Sequence, residues 1–269
     1  MTSRALVFFA VQVLVAAASR AADDPLARAR VLYNQQQFDA AVSEAEKARL
    51  TPARADAADL ISARAYLERF RQSAVSDDLT NGRERLRRLD PQHLDSRERL
   101  EYIVGLGETL YLDGEYGAAA TMFDSILLGP DVLIAGARER VLAWWADAVD
   151  RDTRQRVASN AGADRSAGYR RIRARMEDEL ASHPANAKAA YWLAASTRAQ
   201  GELQDAWDAA EAAWTRAPLA ADGGAALRED LDRLMTRGII PERAKATSQA
   251  PATLVADWER FKDRWKPGK

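Results

Sequence analysis

The side chains that most often carry catalysis are scarce in this chain of 269 residues, which has no cysteine and two histidines. Zero cysteine excludes thiolate nucleophiles, disulfides, Cys-ligated zinc and lipid attachment through an N-terminal Cys. Two histidines are too few for a His-rich metal site or a proton relay. His93 stands in Asp-Pro-Gln-His-Leu and His183 in Ser-His-Pro-Ala-Asn, both beside a helix-stopping proline, so both read as surface-loop residues. The acidic runs Asp23-Asp24, Asp77-Asp78 and Glu177-Asp178-Glu179 could be imagined as acid and base pairs. Most sit near expected helix starts or solvent-facing turns, where a carboxylate serves the helix dipole or solubility. Arg83, Arg85, Arg87 and Arg88 could grip phosphate, yet flanking acids make them a solvated helix face. Trp144 and Trp145 are adjacent on an expected helix and cannot share a face, so one is core and the other boundary or functional. No glycine-rich phosphate loop, His-Glu-x-x-His, Gly-x-Ser-x-Gly or EF-hand loop is present. The chemistry left is recognition without a metal, a cofactor or a catalytic group.

The composition agrees with that reading. With 47% hydrophobic and 29% charged residues and a formal net charge of -1, the chain is neither a disordered polyelectrolyte nor a nucleic-acid binder. Met1 to Ala18 set Arg4 before an apolar run that opens at Ala5, and Ser19 and Ala21 supply small residues at a cleavage boundary. Residues 1–21 therefore read as a signal peptide, with the uncleaved leader as the sole route to membrane contact. Six of the 39 basic residues are Lys and Ala is abundant, a bacterial habit, so the expected address is periplasmic or secreted. The expected mature start is Ala22. N-terminal sequencing of protein expressed with intact export checks it, and recovery of the full-length chain from membranes would favour an anchor.

Apolar residues recur at i, i+3, i+4 and i+7 through segment after segment, without sustained two-residue alternation, so the expected fold class is all-α. Pro52, Pro91, Pro130, Pro184 and Pro218 close successive helical runs at intervals of 39, 39, 54 and 34 residues. The clearest unit, Leu100 to Pro130, carries Leu106-Gly107, Leu110, Gly114-Glu115-Tyr116, Ala119, Phe123 and Ile126. Gly114 falls where a turn wants positive φ, and Gly107 and Ala119 are the small residues expected to let two helices approach. Ala187 to Pro218 repeats the scheme with Leu193-Ala194, Gly201-Glu202-Leu203, Ala206, Ala210 and Ala213. These units resemble the tetratricopeptide repeat, a 34-residue helix-turn-helix, with Ile103, Leu110 and Ile126 departing from its pattern. Weaker matches begin at Pro25 and Arg54, and a further pair occupies the 54-residue interval, lengthened over Asp150 to Gly168.

The resemblance implies an α-solenoid of about five helix pairs over 22–241. A linker over 242–253 and a C-terminal amphipathic helix over 254–266, bearing Leu254, Trp258, Phe261 and Trp265, complete the chain. It also implies a groove lined by first helices that holds a peptide or protein segment. By the family's phase the groove residues are Tyr33 and Asn34, Glu108 and Tyr111, and Lys188, Tyr191 and Arg198. The expected function is a non-catalytic protein-protein interaction scaffold. The alternative is a small-ligand or glycan binder that stacks on Tyr111, Trp145 and Trp192.

Overall fold

Capping chemistry sets the helix boundaries. In the computed structural model, which describes residues 24–129, 135–160 and 164–266, Asp24 opens α1 (Pro25–Asn34) by accepting from the Leu26 and Ala27 amides. Pro25 occupies the first turn, where its missing N–H costs nothing. Asp95 and Glu98 form a reciprocal capping box at the start of α5 (Ser96–Leu112). The expected leader, residues 1–21, and the stop at Pro130 lie outside the described residues. Among the described residues there is helix and turn but no strand, and no helix is long and apolar enough to cross a membrane.

The chain divides into two compact units, Met1–Gly114 and Glu115–Lys269. The repeat domain expected over 22–241 spans both, and the boundary falls in the turn of its clearest repeat. The first unit holds α1, α2 (Phe38–Arg49), α3 (Ala55–Ser73), α4 (Ser76–Arg88) and α5. Each of these helices packs on the next, and α3 also touches α1 and α5. The layer α1, α3, α5 therefore backs onto α2 and α4. The central helix α3 is buried on most sides through Leu60, Ile61, Ala63, Ala65 and Leu67. Gly82 lets α4 close on it, since a Cβ there would lie 3.1 Å from the Leu67 side chain.

The second unit holds α6 (Tyr116–Leu127), α7 (Ala135–Ser159), α8 (Arg165–Ser182), α9 (Ala187–Ala199) and α10 (Leu203–Arg216), followed by α11 (Ala225–Leu234), α12 (Ile240–Thr247) and α13 (Pro251–Arg264). Consecutive helices from α6 to α10 again pack in pairs, and α9 touches both α7 and α11. The surplus read over Asp150 to Gly168 is a lengthening of α7 to Ser159 and a short break before α8. Gly114 and Gly201 take φ of 83° and 85° in the turns the sequence marks. In the weaker hairpins Gln36 (φ 60°) and Ala74 (φ 55°) adopt the same left-handed conformation without a glycine's freedom.

Two expectations at the C-terminus are corrected. Met235–Ile239 form a π-turn that joins α11 to α12. Pro241 cannot donate in a helical ladder, and its position just after the wider turn accommodates that loss. Residues 242–253 are therefore mostly helix, leaving 248–250 between α12 and α13, with Ser248 at φ 54°. Trp265 is half exposed at the end of α13 rather than buried with Leu254, Trp258 and Phe261. Those three join one core with Trp207, Leu231, Ile239 and Ile240, so α13 is seated on the rest of the second unit.

Gly107 is buried in the first unit and Ala119 is fully buried in the second. Replacing Ala119 with Leu should overpack its surroundings and cost about 1 to 3 kcal/mol. Thermal melting checks this, and an unchanged curve would show that the site has room.

Candidate functional site

The first-helix layer of the first unit brings charged residues of three helices together. Tyr33, near the end of α1, packs on Phe38 with ring centroids 5.7 Å apart and carries the Arg64 guanidinium 4.5 Å above its face. Arg64, from the middle of α3, donates to Glu101 of α5 at 2.7 Å, and Arg97 reaches the other oxygen of Glu101 at 3.2 Å. Arg30 pairs with Glu98. These residues and Asn34 line a cleft of about 150 Å³. Burial pulls the Arg64 pKa down, but Tyr33, Glu101, Glu108 and Glu68 outweigh it, so the group is held above its ordinary value and stays a cation.

Tyr33 and Asn34, expected along a groove of first helices, line this cleft together with Arg30, Arg64 and Glu101, which the sequence reading did not single out. A lone Arg on an amphipathic helix looks the same whether it faces water or a carboxylate from a helix 37 residues away. Glu108 is 8% exposed, so it is not the open groove residue expected. Its negative charge supports Arg64 from within the same layer. Tyr111 is half-buried.

In the second unit Lys188, Tyr191 and Arg198 come together on the side of α9 that faces α11 and α12. Lys188 approaches Asp230 at 3.7 Å. Arg198 holds Glu242 through two bonds of 2.5 and 3.2 Å. Its guanidinium lies over Gly238, where a Cβ would come within 2.6 Å of Cζ, so the glycine of the π-turn makes room for this pair. Tyr191 meets Trp192 edge-on at 5.8 Å. Burial first, and then Asp230, push the Tyr191 hydroxyl above its ordinary pKa, while Arg198 and Arg233 pull the other way. These three side chains are thus half-buried and engaged within their own unit rather than standing free.

The stacking surface of Tyr111, Trp145 and Trp192 is not available as expected. Trp145 is fully buried, with Arg171 and Arg175, one helical turn apart, 5.3 and 5.0 Å from its ring and both bound to Asp124. Trp144, the half-buried one of the pair, meets Phe123 at 6.3 Å.

The Arg cluster is corrected in part. Arg85 and Arg88 bond Asp59 and Arg83 pairs with Asp113, while Arg87 is exposed, so the face combines an ion network with a solvated edge. Two of the acids read as solvent-facing are buried: Asp78 pairs with Arg69 at 3.0 Å, and Glu179 takes Arg138 and Asn186.

His93 lies in an exposed turn with its Nδ1 2.7 Å from Asp56, and that hydrogen bond first, with Asp90 after it, raises its pKa above 6.5. A raised value means that the pair adds stability below about pH 6.5 and loses it as pH rises through the higher folded value. Titration of the imidazole by NMR should give a midpoint above 6.5, falling toward that value in Asp56→Asn.

Among the described residues no group of three or more His, Asp or Glu side chains is arranged to hold a metal ion. No family model, curated protein or solved structure matches this chain.

Proposed function

We propose that the chain is an exported, non-catalytic scaffold of tetratricopeptide-like helix pairs, whose first-helix layers recognise a segment of another protein. The observation that carries this reading is the cleft of the first unit. Tyr33, Asn34, Arg64 and Glu101 there present an aromatic face, an amide, a cation and a carboxylate from three helices at one partly open place. Such mixed, preorganised donors and acceptors suit a peptide backbone and its side chains, with no reacting group required. The leader-like first residues and the paired packing of consecutive helices are consistent with an exported repeat protein in the periplasm or outside the cell.

The test must use residues that do not hold the fold. Glu108 is buried and Arg198 is bonded to Glu242, so replacing those two would confound binding with stability. Asn34 is exposed and the Arg97 side chain is 82% exposed. The double variant Asn34→Ala, Arg97→Ala should melt within about 0.5 kcal/mol of the parent. It should also lose proteins that the parent retains in affinity capture from envelope extracts. Full retention by the variant would move recognition away from this cleft. A parent chain that retains no protein, yet melts higher with an added small ligand, would favour a ligand-binding module instead.

A further inference from the structure

In the second unit α10, α12 and α13 line an open cleft of about 630 Å³. Its organising residue is Trp207. The indole face carries the Arg243 guanidinium at 4.8 Å, and the indole N–H donates to Glu211 Oε1 at 2.9 Å. One buried ring therefore fixes a cation and a carboxylate side by side. Arg243 is half-buried, yet no carboxylate lies within ion-pair distance among the described residues. The Arg264 guanidinium, also in the lining, likewise rests on an aromatic face, that of Phe261 at 5.7 Å, with no ion-pair partner among the described residues. The acids of the lining are partly satisfied: Asp208 by Gln204 at 2.7 Å, Asp257 by Arg260 and Asp263 by Lys266. Glu211 keeps Oε2 for another donor.

A polyanion would meet those acids and be repelled, and a simple cation would meet the arginines. The arrangement is complementary to a ligand with one group of each sign. We propose that this cleft binds a small zwitterion, a short peptide with free ends, whose carboxylate takes the unused fork of Arg243 and whose ammonium takes Glu211. The planar guanidinium, held on the Trp207 face, offers two parallel donors to a carboxylate.

Isothermal titration of the full chain with the dipeptide Ala-Leu should give a single salt-sensitive site. The N-acetylated dipeptide and its C-terminal amide should each bind at least about tenfold more weakly, as should Arg243→Gln and Glu211→Gln toward the free dipeptide. Glu211→Gln keeps an acceptor for the Trp207 N–H. Arg243→Lys, which keeps the charge but loses the planar fork, provides a second variant should either of those fail to fold, and it should also weaken binding. No saturable heat with Ala-Leu would overturn the proposal. So would blocked dipeptides binding as well as the free one, or undiminished binding by folded Arg243→Gln and Arg243→Lys chains. None of these results bears on the cleft proposed for protein recognition in the first unit.

Discussion

Replacing Trp258 with Ala should lower the unfolding free energy by about 3 to 5 kcal/mol, measured by urea denaturation. The indole is fully buried, stacked on Phe261 at 5.5 Å and edge-on to Trp207 and Trp214 at 6.2 and 5.3 Å. Its N–H donates to Asp232 of α11 at 3.0 Å, and Lys262 completes the clamp on the same oxygen at 2.7 Å. Truncation leaves a cavity and removes one of the two donors on Asp232. A chain ending at Ala246 would lose Leu254 and Phe261 as well, at roughly 1.5 to 3 kcal/mol for each buried side chain. It would also uncover Trp207 and Trp214, so it should aggregate. A truncated chain that stays soluble, melts as the parent does and fails to retain a partner would make α13 a docking element rather than a cap.

The second large effect is expected at Asp59. This carboxylate is 4% exposed and receives Arg85 at 2.8 Å and Arg88 at 2.7 and 2.5 Å, with Arg49 at 3.4 Å. Asp59→Ala leaves Arg88 without its carboxylate and Arg85 and Arg49 with only Glu46; removing one partner of a buried pair costs about 3 to 5 kcal/mol, and the partial exposure of these arginines puts the expected loss at the lower end, about 3 kcal/mol. Burial raises the Asp59 pKa, but the Arg88 and Arg85 hydrogen bonds outweigh it and hold the group below its ordinary 3.8. Because the folded value is depressed, this contribution is fully present above the unfolded value of about 3.9 and is lost as pH falls through the folded one. The difference in melting temperature between parent and Asp59→Asn should therefore hold steady from neutral pH to about pH 4 and shrink as the pH is lowered further. Parallel curves would show that the network does not titrate with folding.

The helices and their pairing were legible because period and punctuation are local properties. Gly114 and Gly201 announce their turns, since a left-handed residue in a hairpin is cheapest as glycine. Gln36 and Ala74 do the same work and carry no such mark, which is why the first two hairpins read as weak repeats. Ion networks were illegible for a different reason. Arg85 and Arg88 sit among solvent-pattern residues, and their inward turn depends on Asp59, 26 and 29 residues earlier, on another helix. Of the residues that line the first unit's cleft, the repeat phase marks Tyr33 and Asn34. The rest depends on Arg64 meeting Glu101, a pairing across helices that no spacing along the chain encodes.

The π-turn at Met235–Ile239 has a consequence for the phase of everything after it. Each helical residue advances the side chain by about 100°, so one extra residue in a turn rotates the downstream face by that angle. Leu227, Leu231 and Leu234 before the turn and Ile239, Ile240 and Ala244 after it all join the same core. Deleting exposed Thr236 would let the backbone relax into a more regular helix. It would also swing Ala244 and Arg243 away from α10 and unseat α13. The local irregularity works as a phase correction, and a smoother rod would make a poorer lid.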